Sequence, residues 1–361
     1  MSIRRLLLVF AAALLPFGQA VRAETFNLTI GSSHPTTIPW VALMTQFYVP
    51  EVSKRVEALG KNHRIVWREA YAGQLFKINA TLSSVEQGVA DISLVFTTLE
   101  PAKLPLAQFA PLAPFTTDDV RVILDVVNDM NEKVPALRAE WDKNNTVYLG
   151  AWGVDTYHLF TKTPIRSYGD LKGKKISAAG TMGQWLKGSG ATAVEGALTT
   201  FYTDIQSGVS DGGLAISTGI LPAKIYEVAP YITKVDIGAL YAGALAMNKD
   251  TWNRLPPDVQ KVMKDVGKEY SKRLGEYLMQ KYQEALLQMV QAGAKQSVPV
   301  QVLELPNAER EKWVRTMPNL AADWAKANQA KGLPAKAVLQ AYMDGLRNRG
   351  VKPLRDWDRE L

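Results

Sequence analysis

Two kinds of hydrophobic pattern alternate along most of the chain. Short runs of β-branched and apolar residues, bounded by glycine or polar residues, read as strands: TFNLTIG (Thr25–Gly31), RIVWREAY, ADISLVF, NTVYLGAW, KKISAA and GGLAIS. Between them lie segments with apolar residues at steps of three and four, such as WVALMTQFYVPEVSKRVEAL and DDVRVILDVVNDMNEKV. That alternation predicts α/β units with largely parallel sheets. The last third differs. From Asp258 to about Ala294 there is no proline, and Val259, Val262, Met263, Val266, Tyr270, Leu274, Tyr277, Leu278, Tyr282, Leu286, Met289 and Val290 trace one apolar stripe. Pro257 and Asp258 open it as a helix start. At 1.5 Å per residue such a helix runs roughly 50 Å, longer than one small domain is wide, so it is expected to cross two domains as a spine. Two further helical patterns, 307–329 and 334–348, close the chain.

Open α/β sheets bind ligands beyond the carboxyl ends of their strands. Ser177–Thr181 sits at such a point, and so does His34–Pro39 after the first strand. Two such points, one in each domain, predict a cleft that closes on a ligand.

The N-terminus adds a destination. Arg4 and Arg5 precede LLLVFAAALLPF, and VRA precedes Glu24. A positive start, a short apolar core and small residues at the exit form a secretory leader, expected to be cleaved after Ala23. The run is too short for the ~18–20 residues of a spanning helix. The formal charge of +7 drops to +4 without Arg4, Arg5 and Arg22. The remaining cations alternate with acids, which predicts a solvated surface and no nucleic-acid partner. With no cysteine anywhere, disulfides, thiolate metal sites and a cysteine nucleophile are excluded.

The search for catalytic chemistry is mostly negative. His34, His63 and His158 are the only histidines and stand at no metal-binding spacing. No nucleophile elbow occurs, and GTMGQWLKGSG fits neither the dinucleotide nor the phosphate-loop spacing. Aromatic residues tell more. Trp40, Tyr71, Trp152, Tyr157, Trp185 and Tyr202 fall at strand ends or helix starts, where ring walls would line a small-molecule pocket.

Five segments, in order, resemble one family: YAGQL…SSVEQGVADISLV, PLAQFAPLAPF, PIRSYGDLKGKKI, FYTDIQSGVSDGG and MNKDTWNRLPPDVQ. Together they are similar to the DctP-type solute receptors of TRAP transporters. The resemblance implies a periplasmic receptor with a two-lobed α/β binding-protein fold, joined by crossing strands and a long helix. The division expected is 24–153 with 241–282 in one lobe, and 154–240 with 283–361 in the other. Such receptors close on an organic acid, pass it to the permease subunits in the membrane, catalyse nothing and need no cofactor or metal. A monomer is expected.

The residues depart from the family where the ligand is held. An arginine usually follows DLKGLK(I/L), and here that position is Ser177. A second, in GFRH, is replaced by Tyr157. The asparagine after the DG of GVVDG gives way to Leu214 and Ala215. The expected ligand is therefore aromatic or otherwise apolar, with any carboxylate held by backbone N–H groups at a helix starting near Thr181. Trp40 and Glu100 are expected from one lobe, and Tyr157, Ser177 and Trp185 from the other, with Trp152, Asp155, Thr181 and Leu214 completing the site. Asp155 or Glu100 facing the cleft would instead suit a cationic ligand. Two other classes remain open at this stage. One is a periplasmic lyase or isomerase using Asp155 with His158; the other is a sensory binding protein.

Overall fold

In β1 (Thr25–Gly31), Phe26, Leu28 and Ile30 alternate inward while Thr25 and Asn27 face outward, the period of two that the sequence shows. The computed structural model describes residues 24–361, so the leader and its cleavage site lie outside the described residues. The other strands are β2 (Arg64–Ala70), β3 (Ile92–Phe96), β4 (Thr146–Val154), β5 (Tyr157–Thr161), β6 (Lys175–Ala178), β7 (Thr192–Glu195), β8 (Gly212–Ile216), β9 (Tyr231–Lys234), β10 (Leu240–Asn248) and β11 (Gln301–Glu304). They form two sheets, β2-β1-β3-β10-β4 and β11-β9-β5-β8-β6-β7.

The sheets are mixed rather than largely parallel. β1 pairs in parallel with β2 and β3, as β6 does with β7 and β8. β10 is antiparallel to both β3 and β4, and β5 to both β8 and β9. The physical reason is the way the lobes are joined. The chain passes from β4 into β5 with only Asp155 and Thr156 between, and returns from β9 to β10 through residues 235–239. Each crossing carries the chain out of one sheet and straight into the other, so β4 runs toward the junction and β10 away from it, as β9 runs toward it and β5 away; the members of each pair lie side by side and antiparallel.

The helix expected over Trp40–Leu59 starts on Pro39 and passes through a π turn at Met44–Tyr48, where Val49 N–H bonds Met44 O. Pro50 follows directly and has no N–H to give, so the wider turn absorbs the break. The spine helix covers Pro257–Gly293. It lies against β4 at very close range: a Cβ on Gly150 would stand 2.3 Å from Gly267 O, and Ser271 Oγ donates to Ala151 O at 2.6 Å. At its far end Tyr282, Leu286 and Met289 enter the core of the second lobe.

The C-terminal helices depart from the expected division. Helix Asn307–Thr316 docks on the second lobe, where the Glu309 carboxylate accepts from Tyr168 N–H at 2.8 Å. Helix Ala335–Arg347 instead packs on helix Val120–Lys133 of the first lobe, with Tyr342 beside Phe109 at 4.9 Å and Gly345 against Val126. The tail thus straps both lobes. Among the described residues no helix is long and apolar enough to cross a membrane.

Candidate ligand-binding site

Where the strand ends of the two sheets face each other, they enclose a cavity of about 110 Å³. Four rings build the wall on the side of the first lobe. His34 follows β1, Trp40 opens the next helix, Phe96 ends β3 and Trp152 lies near the end of β4. They close a circuit of contacts: His34 to Trp40 at 6.1 Å, Trp40 to Trp152 at 5.6 Å, Trp152 to Phe96 at 4.6 Å and Phe96 to His34 at 5.3 Å. The second lobe supplies Tyr157, Met182, Phe201 and the end of β8 at Leu214–Ile216. Among the described residues no lysine, arginine, aspartate or glutamate lines it. A wider, open groove of about 670 Å³ beside Lys162 and Lys295 has a single aromatic lining ring, Tyr226.

The polar groups on this wall are the Asn79 amide, the Thr98 hydroxyl and those carried by the rings. Trp152 Nε1 donates to Val95 O at 3.0 Å. Trp40 Nε1 is buried and has no protein partner among the described residues. His34 Nδ1 shares a hydrogen bond with Ser33 Oγ at 3.0 Å, and burial pushes the imidazole down to about 4, so the ring is neutral at pH 7. Burial, and then the Asp155 charge, raise the Tyr157 hydroxyl well above the ordinary tyrosine range. The site is therefore neutral and aromatic.

Of the residues expected from the sequence, Trp40, Trp152, Tyr157 and Leu214 stand on this wall. The other five stand off it. Ser177 is fully buried within β6, and its hydroxyl pairs with that of Ser210 at 2.8 Å. Beside it Gly213, its partner on β8, leaves room for the Phe201 ring. Thr181 lies in a 3₁₀ segment, Gly180–Leu186, not at the start of an α-helix. The Gly180 N–H there already donates to Glu195 Oε1 at 3.0 Å and the Met182 N–H to Ala179 O at 3.2 Å, so neither is free for an anion. Trp185 is buried below the wall, with its ring centroid 5.1 Å from that of Tyr157 and perpendicular to it, and its Nε1 donating to Pro111 O of the other lobe at 2.6 Å.

Asp155 is buried at the first crossing, where Thr218 gives it both hydroxyl and N–H, and burial raises it to about 6. Glu100 is half-buried beside the cavity, raised by desolvation, and does not line it. Arg68 is exposed on β2, as an outward residue should be. Neither acid offers a carboxylate to a cationic guest. Sequence reasoning passed over His34, Phe96, Met182 and Phe201. The signal for His34 was present in its place after the first strand; the others needed the sheet order.

His158 is equally far from acid–base chemistry. Its Nε2 bonds Tyr282 OH at 2.9 Å and its Nδ1 accepts Asp236 N–H at 3.4 Å. Asp236 Oδ1 stands 3.8 Å away, but the imidazole is neutral and forms no ion pair: burial, aided by Lys234 and Arg310, pushes it from 6.5 down to about 3. Between those values the unfolded chain takes up a proton that the folded chain refuses, so this residue removes stability as pH falls. Relative to the wild type, His158→Gln should gain about 2 kcal/mol between about pH 6.5 and about pH 4.5. Urea midpoints at the two pH values measure this, with His34, Asp155 and Glu140 cancelling in the comparison. A difference independent of pH would mean that His158 is protonated in the fold.

The family description DctP, bacterial extracellular solute-binding protein, family 7, matches residues 52–328. A solute-binding protein of Sulfitobacter sp. (strain NAS-14.1) is 28% identical over 209 residues, 55% of this chain; the match spans 60% of that protein, less than two thirds of its length. Among solved structures, a TRAP solute-binding protein from Rhodoferax ferrireducens, in complex with copurified benzoate, has a TM-score of 0.78 at 20% identity. It covers 90% of this chain and 98% of its own. A marine metagenome TRAP protein specific for pyroglutamate has a TM-score of 0.72 at 17% identity, covering 89% and 99%. At these identities the likeness is one of fold.

Proposed function

This chain belongs to the DctP family of bacterial extracellular solute-binding proteins, the receptors of TRAP transporters, and from that premise we propose that it captures a small monocyclic aromatic compound in the periplasm and delivers it to a membrane permease. The family is one of receptors, not enzymes, and the cavity wall presents no acid–base pair. The observation that carries the ligand reading is a cavity walled by rings and free of any charged side chain. Its 110 Å³ is of the order of the apolar cavities, about 150 Å³, that accept a benzene ring. A dicarboxylate placed there would bury two charges with no cation in return, at a cost of several kcal/mol for each carboxylate left without hydrogen-bond donors. A ring loses little and gains contact with Trp40, Phe96, Trp152, Tyr157 and Phe201.

Closure fits the same reading. The wall is built from both lobes, so a guest that fills the cavity touches both and stabilises the closed arrangement. The ligands of proteins with this fold differ, benzoate in one and pyroglutamate in another, so side chains rather than the fold select the guest. Mass spectrometry of what leaves the purified receptor on denaturation tests the proposal. The expected compound carries a single aromatic ring. Tight binding of succinate, with no affinity for benzoate or other aromatic compounds, would overturn it.

A further inference from the structure

Within the four-ring circuit the two indoles differ. Trp152 gives its N–H to Val95 O, whereas Trp40, equally buried, has an N–H with no protein acceptor among the described residues. A buried donor left unpaired is costly, and folded proteins leave few of them. Trp40 is also held in place. Its carbonyl accepts Tyr270 OH of the spine helix at 2.6 Å, and Pro39 starts its helix. His34 stands edge-on to it on the same stretch of wall. The Nδ1 of His34 is engaged by Ser33 Oγ, while its Nε2 makes no protein hydrogen bond among the described residues. With Ser33 donating to Nδ1, Nε2 carries the hydrogen and becomes a second donor.

We infer that Trp40 Nε1 and His34 Nε2 form the polar anchor of this cavity, taking one acceptor group, a carbonyl or carboxylate, of a guest whose remaining surface is an aromatic ring. The inference rests on the aromatic-ligand reading and adds how the guest is oriented. Its oxygen end turns toward the first lobe, and its ring toward Met182, Phe201 and Leu214 of the second. An arginine fork would favour a carboxylate strongly over any neutral group. Two uncharged donors discriminate otherwise: they separate an oxygenated ring from a hydrocarbon, yet distinguish a carboxylate only weakly from an amide. Burial keeps His34 neutral, which is consistent with this.

The test uses the purified receptor with benzoate, benzamide and toluene as probes. Calorimetry should find benzoate and benzamide within about tenfold of each other, and both about tenfold or more tighter than toluene. Trp40→Phe keeps a ring and removes the donor; it should weaken both oxygenated probes about three- to tenfold more than it weakens toluene. An unchanged urea unfolding slope certifies that the variant folds. His34→Phe, which keeps a ring against Phe96, should act in the same direction. In spectra of the indole N–H groups, the signal missing from Trp40→Phe should move downfield with benzoate but not with toluene.

Equal losses for all three probes, or no loss for any, would overturn the anchor while leaving the aromatic reading intact. Benzoate binding a hundredfold or more tighter than benzamide would overturn the anchor too, since it demands a cation. Failure of the wild type to bind any of the three would overturn the aromatic reading and this inference with it.

Discussion

Ser177→Arg, which restores the residue the family usually carries, is expected to lower the melting temperature by about 10 °C and to create no affinity for dicarboxylates. Ser177 is fully buried in β6, bonded to Ser210 across the sheet, with Phe201 packed over the paired Gly213. A guanidinium entering there overfills the packing, at about 1–3 kcal/mol. It also meets no carboxylate on the cavity wall, and an uncompensated buried charge adds several kcal/mol. At about 2–4 °C per kcal/mol for chains approaching this size, the two together reach that shift. Ser177→Ala is the control; it loses one hydroxyl pair, about 1 kcal/mol. Scanning calorimetry and succinate titration measure both. A variant that melts with the wild type and binds succinate tightly would mean that one residue alone keeps the pocket neutral.

Trp152→Ala is expected to destabilise by about 3–5 kcal/mol and to abolish binding of benzoate. The ring is fully buried between Trp40 and Phe96, and Gly243 is shaped around it: a Cβ there would stand 2.8 Å from Trp152 Nε1 and 1.8 Å from Val95 O. Removing the indole therefore deletes both a packing element and the floor of the cavity. Trp152→Phe keeps a ring and should lose much less of each. Urea unfolding with an unchanged slope reads the stability term. A loss below about 1 kcal/mol for the alanine variant would show that the four-ring circuit does not support the fold.

Much of the scaffold was legible because it is written in local periodicity. The apolar stripe from Val259 to Met289 predicts the spine helix almost to its ends, and β1, β3, β4 and β8 follow their β-branched runs. The antiparallel placement of β5 and β10 was not legible, since it arises from two short crossings rather than from anything within the strands. The site divides in the same way. Tyr157 and Leu214 attracted notice because a polar family residue is missing there, and both stand on the wall. Ser177 drew notice for the same reason, yet its hydroxyl turns to Ser210. Trp185 has the composition of a ligand-facing ring but donates to Pro111 O beneath the wall. In each case the strand end is readable, whereas the direction a side chain takes depends on which neighbours crowd it.

By itself the sequence determined the spine, the strands β1, β3, β4 and β8, the two strand-end regions and the absence of the family's arginine, because each depends on residues adjacent in the chain. The tertiary structure decided which rings share one wall and which polar groups are already partnered, because those outcomes depend on contacts between segments more than a hundred residues apart, such as Trp40 with Trp152 and Tyr270.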